Sequence, residues 1–492
     1  MTSGDIAFLL PEIILTIGAC ALLVFPVIGK RGEARGAKWV MIALLAITAI
    51  TVIVSSHTVT DLAQSRLFAT MFAVDSFSVF FKLIFIGAVA MVTLMSEDYF
   101  RDSRYSPWEY YSLLAFALCG MLFMASGIHL ISIYVGLELM SLSSYILAGY
   151  YKSEQKSTEA AMKYFVLGTV SSAILLYGMS LIYGVCGSLN LIAIDRAMST
   201  LITNDALMLG ILLLAAGLCF KIAAAPFHVW TPDVYEGAPT PITAFLSTAS
   251  KAAAIAIFAR IFYVGLQHFQ LDWSFVLATV AALSMIVGNL AAITQDNVKR
   301  MLAYSSIGHA GYLLLGIISM SEMGMRGVLV YTVVYLAATL GIWATVLMLQ
   351  QHEYAGEQVE DFQGLHTRSP FWAFAMVMFL LSLGGIPPTA GFIGKYYLFA
   401  AAIQSGFGWL AIIAVLMSAV SMFYYLRIVV AMYLREGKDS QVSTAGSLRF
   451  VGAACLAITL FFGILPTPLI RQVETSARWV AARAVVVPDG GR

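Results

Sequence analysis

Charged residues are scarce in this sequence. Only 11% of its 492 residues are Asp, Glu, Lys or Arg, whereas about 25% is typical of a soluble domain. Hydrophobic residues make up 60% of the chain and recur in long runs along its whole length. Such continuous runs exclude a membrane β-barrel, whose strands alternate apolar and polar residues. The net charge of +1, spread along the chain, gives no indication of a nucleic-acid partner. The composition predicts an all-α polytopic membrane protein.

Redox motifs are also missing. The five cysteines form no CxxC pair, and no iron–sulfur or haem spacing is present. No GxGxxG motif follows a strand, so we expect no dinucleotide site. We therefore predict no cofactor and no metal in this chain, and any linked redox reaction would take place in a partner protein. The N-terminus lacks the positive segment of a signal peptide, so the first apolar run is expected to remain as a span.

Fourteen apolar stretches are long enough to cross a bilayer, at about 20 residues per crossing. Lys and Arg are concentrated in the loops of one side, which predicts that this side is cytoplasmic and that both termini lie on the other side. The predicted spans lie near 6–28, 38–56, 74–96, 109–126, 128–150, 159–184, 205–225, 241–266, 273–294, 301–319, 326–350, 370–403, 408–434 and 449–470.

Two of these spans contain helix breakers. Pro226 and Pro232 follow Lys221 in the seventh span, and Pro387 and Pro388 interrupt the twelfth. Proline removes a backbone donor and clashes with the preceding turn, and the freed carbonyls are tolerated at membrane depth only beside a cavity or packed protein. A pair of interrupted spans in corresponding places indicates a transport site in an inverted-repeat transporter. The alternative is two ordinary proline kinks.

The two interrupted spans are five spans apart. Because five is odd, the second copy would enter from the opposite face, which predicts two inverted five-helix repeats, each with a broken helix. His309, in the tenth span, is expected to fall where Glu138 falls in the first repeat. The predicted organisation is a three-helix segment at 1–100, a first repeat at 105–268, a second repeat at 271–436, and a C-terminal span and tail at 447–492.

Several ionisable residues lie inside the predicted spans, where a charge costs roughly 2.5–3.5 kcal/mol on insertion scales. A lysine beside a carboxylate can hold a proton, and desolvation favours its release. Glu138 with Lys221 or Lys163 fits this chemistry. A structural ion pair at the glutamate and snorkelling at Lys163 remain alternatives. The five charged candidates for a proton relay are Glu138, Lys163, Lys221, Lys251 and Lys395.

Two histidines are further relay candidates. His228 lies within the first break and His309 within the tenth span. Histidine titrates near pH 6.5, which suits a proton shuttle between lysines. A hydrogen-bonded packing histidine is the alternative at both positions. Lys82, Arg260 and Arg427 also lie in apolar runs, and we expect snorkelling or structural pairing for these three.

The sequence at this point resembles a known family. Glu138, Lys221 before the run Pro-Phe-His-Val-Trp-Thr-Pro-Asp, Lys251, and Lys395 after Gly-Gly-Ile-Pro-Pro are similar to the antiporter-like membrane subunits of respiratory complex I. These subunits are related to Mrp-type sodium/proton antiporters. The resemblance covers nearly the whole chain. Lys395 and the chain length are most similar to the N-type bacterial subunits.

The resemblance implies a proton-translocating subunit in the membrane arm of NADH:quinone oxidoreductase, in the bacterial inner membrane. It implies that Glu138, Lys163 and Lys221 form an input half and that Lys251 links it to Lys395. The chain would bind neither NADH, flavin nor iron–sulfur clusters, and its neighbours would be antiporter-like M and L type and small K and J type subunits. A stand-alone or Mrp-type cation/proton antiporter is the alternative, and a structural spacer is a third hypothesis.

Overall fold

The computed structural model describes residues 8–28, 34–57, 66–67, 71–100, 105–200, 204–350, 356–437 and 446–485. This part of the chain is almost entirely helical, with one short antiparallel hairpin of β1 (Arg66–Leu67) and β2 (Phe72–Ala73). The helices are α1 (Leu10–Ile28), α2 (Ala34–His57), α3 (Ser76–Tyr99), α4 (Pro107–Ser126), α5 (Leu130–Ala148), α6 (Gln155–Cys186), α7 (Leu191–Met198), α8 (Asp205–Ile222), α9 (Trp230–Gly237), α10 (Thr240–Gly265), α11 (Gln270–Ile293), α12 (Val298–Ile318), α13 (Glu322–Leu349), α14 (Leu365–Arg368), α15 (Pro370–Gly384), α16 (Ala390–Gln404), α17 (Gly408–Leu434), α18 (Gly446–Ile464) and α19 (Thr467–Val485).

The described helices agree with a polytopic membrane protein. Twelve of them are long and apolar enough to cross a membrane, and two shorter apolar helices lie at Leu10–Phe25 and Pro370–Gly384. Each predicted span coincides with helix, and the twelfth is divided into α15 and α16. The amphipathic helix α19 in the C-terminal tail was not predicted. It packs against α3, α10 and α13.

The most buried helices occupy the centre of the bundle. Every residue of α10 is buried, and nearly all of the apolar windows of α12 and α13 are buried. The outer helices instead expose large apolar side chains, such as Val170 of α6 and Phe423 of α17. A helix that is apolar all round is expected in a membrane or in a large core. Lys251 of α10 and His309 of α12 therefore lie deep within the protein.

One backbone bridge occurs twice with the same register. His129 bridges Asn190 just before α5, and Asn297 bridges Gln358 just before α12. Both partners of the second bridge lie 168 residues after their counterparts (129 to 297 and 190 to 358). The flanking hydrogen bonds repeat as well, from the N–H groups of 130 and 298 to the carbonyls of 189 and 357. The two halves of the chain thus share a local fold.

Two close helix crossings repeat with the same offset. A Cβ atom on Gly120 of α4 would lie 2.4 Å from the carbonyl oxygen of Gly136 in α5. A Cβ atom on Gly288 of α11 would lie 2.7 Å from the carbonyl oxygen of Tyr304 in α12. Only glycine permits such an approach of two backbones. Helices α4 and α5 therefore pack as closely as α11 and α12 do.

The first helix break follows α8. Ala223 adopts a left-handed conformation (φ 60°), and the N–H of Ala224 donates to the carbonyl of Cys219 at 2.8 Å, which is a Schellman-type end. Pro226 lies in the interruption before α9. Pro232 instead lies in the first turn of α9. Backbone N–H groups of the first turn have no helical acceptor, so proline is tolerated there. The prediction of a break at Pro232 is thus corrected, because the helix has already resumed there.

The second break separates α15 from α16, and α15 ends in the same way as α8. Gly385 is left-handed (φ 83°), and the N–H of Ile386 donates to the carbonyl of Leu381 at 3.0 Å. Pro387 and Pro388 lie between the two helices, as the sequence predicts. Both breaks leave carbonyl groups at the end of the preceding helix without helical partners.

Candidate functional site

Lys221 and Glu138 both lie beside the middle of α5. Lys221, in the last turn of α8, is 5% exposed and donates to Ser141 Oγ at 2.8 Å and to the Tyr145 hydroxyl at 3.3 Å. Glu138 is half-buried and accepts a hydrogen bond of 2.5 Å from Ser172 of α6. The expected direct pair of Glu138 with Lys221 is therefore absent from the described ion pairs. Ser141, one turn after Glu138, contacts the lysine instead.

Lys163 lies near one end of α6 and is more exposed. Its side chain is 40% exposed and pairs with Glu159 at 2.6 Å and with Asp233 of α9 at 2.7 Å. Ser172, which donates to Glu138, lies nine positions further along α6, or about 13 Å along a helix. Lys163 is therefore too far away for the expected direct pair with Glu138. Asp233, which we did not predict as a site residue, is its partner.

Lys251 connects the two halves of the bundle. It follows a π-helical turn, Leu246–Ser250, within α10, and such turns occur frequently at functional sites. Its ammonium donates to the carbonyl and hydroxyl of Ser306 in α12, at 3.0 and 2.8 Å. The side chain is 5% exposed. Lys251 is therefore buried at the contact between α10 and α12.

His309 lies one turn after Ser306 on α12 and is enclosed by tyrosines. Its Nδ1 is 2.6 Å from the Tyr331 hydroxyl, and its Nε2 is 3.1 Å from the Tyr425 hydroxyl. The offset of 168 residues places His309 with Ser141 rather than with Glu138. The expected correspondence with Glu138 is therefore wrong by one helical turn. Both ring nitrogens have hydroxyl partners, so the ring is held in a polar network.

Lys395 donates a hydrogen bond to the backbone at the second helix break. It lies in α16, is 4% exposed, and donates to the Gly384 carbonyl at 3.0 Å and to Ser418 Oγ at 2.7 Å. That carbonyl ends α15, where the helix dipole favours a cation. The ammonium also lies 4.7 Å from the centre of the Tyr312 ring. A groove of about 470 Å³ between α16 and α17 borders the lysine.

His228 lies in the first interruption and is half-buried. In the described part of the chain, no hydrogen bond joins its ring to Lys221 or Lys251. The structure thus does not bring His228 together with the lysines. Across the described residues, no group of three or more His, Cys, Asp or Glu could hold a metal ion.

The buried cations fall into two groups. Four of them pair with carboxylates at 2.5–3.2 Å, which fits a structural role. The central lysines donate their hydrogen bonds to hydroxyl and carbonyl oxygens, and among the described residues they form no direct ion pair. A buried charge without a counter-ion is unfavourable, so such a site can alternate between the protonated and neutral forms, whereas an ion pair favours the charged form. The paired group is Lys38 with Glu97, Lys82 with Glu12, Arg260 with Asp75, and Lys299 with Glu357; the unpaired group is Lys221, Lys251 and Lys395.

Comparison with known proteins shows the family to which the chain belongs. The family profile described as NADH:quinone oxidoreductase/Mrp antiporter, TM matches residues 127–421. NADH-quinone oxidoreductase subunit N of Parvibaculum lavamentivorans is 42% identical over 470 residues, with 95% of this chain and 96% of that protein covered. Subunit N 2 of Solibacter usitatus is 42% identical over 482 residues, with 96% and 98% covered.

Solved structures agree as well. A chain of respiratory complex I from Thermus thermophilus is 32% identical with a TM-score of 0.80, and 94% of this chain and 98% of that chain are covered. A chain of the Mrp complex from a Dietzia species has the same fold, with a TM-score of 0.85 at 21% identity and coverage of 98% and 100%. The chain therefore belongs to the NADH:quinone oxidoreductase/Mrp antiporter membrane family and, within it, to the subunit N proteins of NADH-quinone oxidoreductase.

Proposed function

We propose that this chain is a proton-translocating subunit in the membrane arm of NADH:quinone oxidoreductase. The observation that carries the proposal is a set of three buried lysines that form no direct ion pair among the described residues, Lys221, Lys251 and Lys395. They lie on α8, α10 and α16, next to serine hydroxyls of α5, α12 and α17. A file of ionisable groups at membrane depth is typical of a proton path.

We propose an order for the path that is supported by contacts along most of its length. Glu138 and Ser141 share one face of α5, and Ser141 accepts from Lys221. Lys251 accepts the proton next and presents it to Ser306 of α12. From there the His309 network leads towards Lys395. We propose that quinone reduction in partner subunits drives the movement, because this chain is expected to hold no redox centre.

Aromatic rings separate the first lysine from the second. Tyr145, which contacts Lys221, meets Tyr164 edge to face at 4.6 Å, and Tyr164 stacks on Trp230 at 4.5 Å. Tyr235 then lies 6.0 Å from the Lys251 ammonium. Ring contacts transfer no proton, so transfer between the lysines requires a side-chain movement or inserted water. We propose that quinone reduction in the partner subunits controls proton transfer at this interruption between Lys221 and Lys251.

We also propose that α4 to α10 and α11 to α17 are inverted repeats, with the predicted domain limits of 105–268 and 271–436. Three observations support this: the two backbone bridges with one offset, the two glycine crossings and the two left-handed breaks. The helix pairs also correspond, because α6 packs on both α8 and α9, as α13 packs on both α15 and α16. An inverted repeat would place the two broken helices on opposite halves of the membrane.

The proposed orientation rests on the distribution of Lys and Arg. The ends of α5 and α6 near Lys152 and the start of α12 near Arg300 would face the cytoplasm of a bacterial inner membrane. Both termini, which lie outside the described residues, would then be periplasmic. The partners would be antiporter-like M and L type subunits and small K and J type subunits, and NADH, flavin and iron–sulfur clusters would be bound by other subunits.

Proton pumping in inverted membrane vesicles tests this function. Glu138→Gln and Lys221→Ala should each lower NADH-driven proton pumping and, through coupling, NADH:quinone turnover of the assembled complex. Unchanged pumping and turnover in both variants would rule the proposal out. A sodium-dependent pH change in vesicles that contain the purified chain alone would favour the antiporter alternative instead.

A further inference from the structure

A cluster of charges at one end of the bundle joins the two proposed repeats. Asp233 of α9 accepts from Lys163 of α6 at 2.7 Å through Oδ2 and from Arg300 of α12 at 2.8 Å through Oδ1. Arg300 also pairs with Glu236, one turn further along α9, at 2.9 Å. Asp233 thus holds one cation from each repeat. None of Asp233, Glu236 and Arg300 is a site residue predicted from the sequence.

The surroundings of Asp233 are half-exposed and contain charges of both signs. Around one third of the Asp233 side chain is exposed, and the side chains of Lys163 and Arg300 are exposed to a similar extent. Ion pairs of this exposure contribute little to stability and can exchange partners. The cluster therefore suits a movable contact better than a rigid one. The other charges facing it are Glu159 and Lys156 on α6, Glu236 on α9, and Lys299 on α12 with its partner Glu357.

The position of Asp233 in its repeat matches that of Lys395 in the second repeat. Each residue lies ten positions after the left-handed residue of its broken helix (223 to 233 and 385 to 395). Each lies in the helix that follows the break, α9 or α16. In an inverted pair these two helices run to opposite faces of the membrane. Asp233 and Lys395 would therefore be the ionisable groups at the two ends of the path.

We propose that Asp233 is the counterpart of Lys395 at the other end of the path and that it positions Lys163 under the control of Arg300. The inference rests on the proposed proton translocation. Arg300 lies in the first turn of α12, and Ser306 of the same helix holds Lys251. A shift of α12 would therefore alter two contacts together: the ion pair of Arg300 with Asp233, which positions Lys163, and the hydrogen bond of Ser306 with Lys251. The ion pairs from Lys163 through Asp233 to Arg300 would link proton entry to the proton transfer at Lys251.

A double-mutant cycle on the assembled complex in inverted membrane vesicles tests the inference. Asp233→Asn should lower the rates of NADH-driven proton pumping and of NADH:quinone turnover by about fivefold, the low end of the range for coupled sites. Asp233→Glu, which keeps the carboxylate, should retain most of the wild-type pumping. In a Lys163→Met background, Asp233→Asn should produce no further loss, because a positioning residue acts only through its partner. Asp296→Asn is the matched control, since Asp296 is 87% exposed in its ion pair with Arg427, and it should pump normally.

The outcomes separate this inference from the proposed function. Normal pumping in Asp233→Asn, or an additive loss in the Lys163→Met background, would overturn the inference, while a loss in Lys221→Ala would still support proton translocation. Normal pumping in Lys221→Ala would instead overturn the proposed function. If Asp233→Asn fails to assemble, Arg300→Gln replaces it in the same cycle. Its loss should also disappear in the Lys163→Met background, and an additive loss would again overturn the inference.

Discussion

Replacement of Lys251 by methionine separates a proton relay from a structural spacer. Methionine has a similar length and no charge, so Lys251→Met removes two hydrogen bonds to Ser306, at 3.0 and 2.8 Å. Hydrogen bonds to charged groups contribute about 1.5–3 kcal/mol each. The same change relieves the burial of an unpaired ammonium, an effect of several kcal/mol in the opposite direction. Stability should therefore change little, by about 2 kcal/mol at most.

The functional effect of Lys251→Met should be much larger. Removal of a group that transfers a proton typically costs about 10²–10⁴ in rate, so NADH-driven pumping should fall by about tenfold or more. Lys251→Arg keeps a charge but cannot release a proton, so it should also fail. Lys82→Met is the matched control, because Lys82 is equally buried but pairs with Glu12, and it should impair assembly rather than pumping. Normal pumping by assembled Lys251→Met complex would refute the relay and support a spacer.

Other substitutions test the structural contacts. Arg260→Met leaves a buried carboxylate without its partner and should destabilise the complex by about 3–5 kcal/mol in thermal unfolding, and adding Asp75→Asn should recover part of the loss. Gly120→Ala places a Cβ atom 2.4 Å from a carbonyl oxygen of α5 and should lower stability by about 1–3 kcal/mol, whereas Gly87→Ala, with nothing within 4 Å, should be neutral or stabilising. Ser306→Ala removes one of two acceptors, so pumping should fall less than in the lysine variant.

The sequence identified the ionisable positions because an isolated charge is conspicuous in an apolar run. Lys221, Lys251 and Lys395 are all buried as expected. Their partners were not predictable, because serine is common in these helices and no pattern marks the one hydroxyl that faces a lysine. The same limit applies to structural pairs such as Arg260 with Asp75, which are 185 residues apart.

The helix breaks were predictable to within one turn. Proline marked both interruptions, but its effect depends on its place in the helix, which is why Pro232 continues α9 rather than ending it. Asp233 was missed because it lies in a polar stretch where charge is unremarkable. Its distance of seven positions from Pro226, equal to that of Lys395 from Pro388, was a usable signal in the sequence. Helix α19 was missed because its moderate hydropathy is below that of a span.

The most direct test of the proton path is the number of protons pumped per NADH oxidised by the complex that carries Lys395→Met. Lys395 is the terminal lysine, its partners are the Gly384 carbonyl and the Ser418 hydroxyl, and the substitution removes no ion pair. We predict an assembled complex whose proton-to-electron ratio, or whose turnover through coupling, falls clearly below wild type. An assembled complex with wild-type ratio and wild-type turnover would contradict the account.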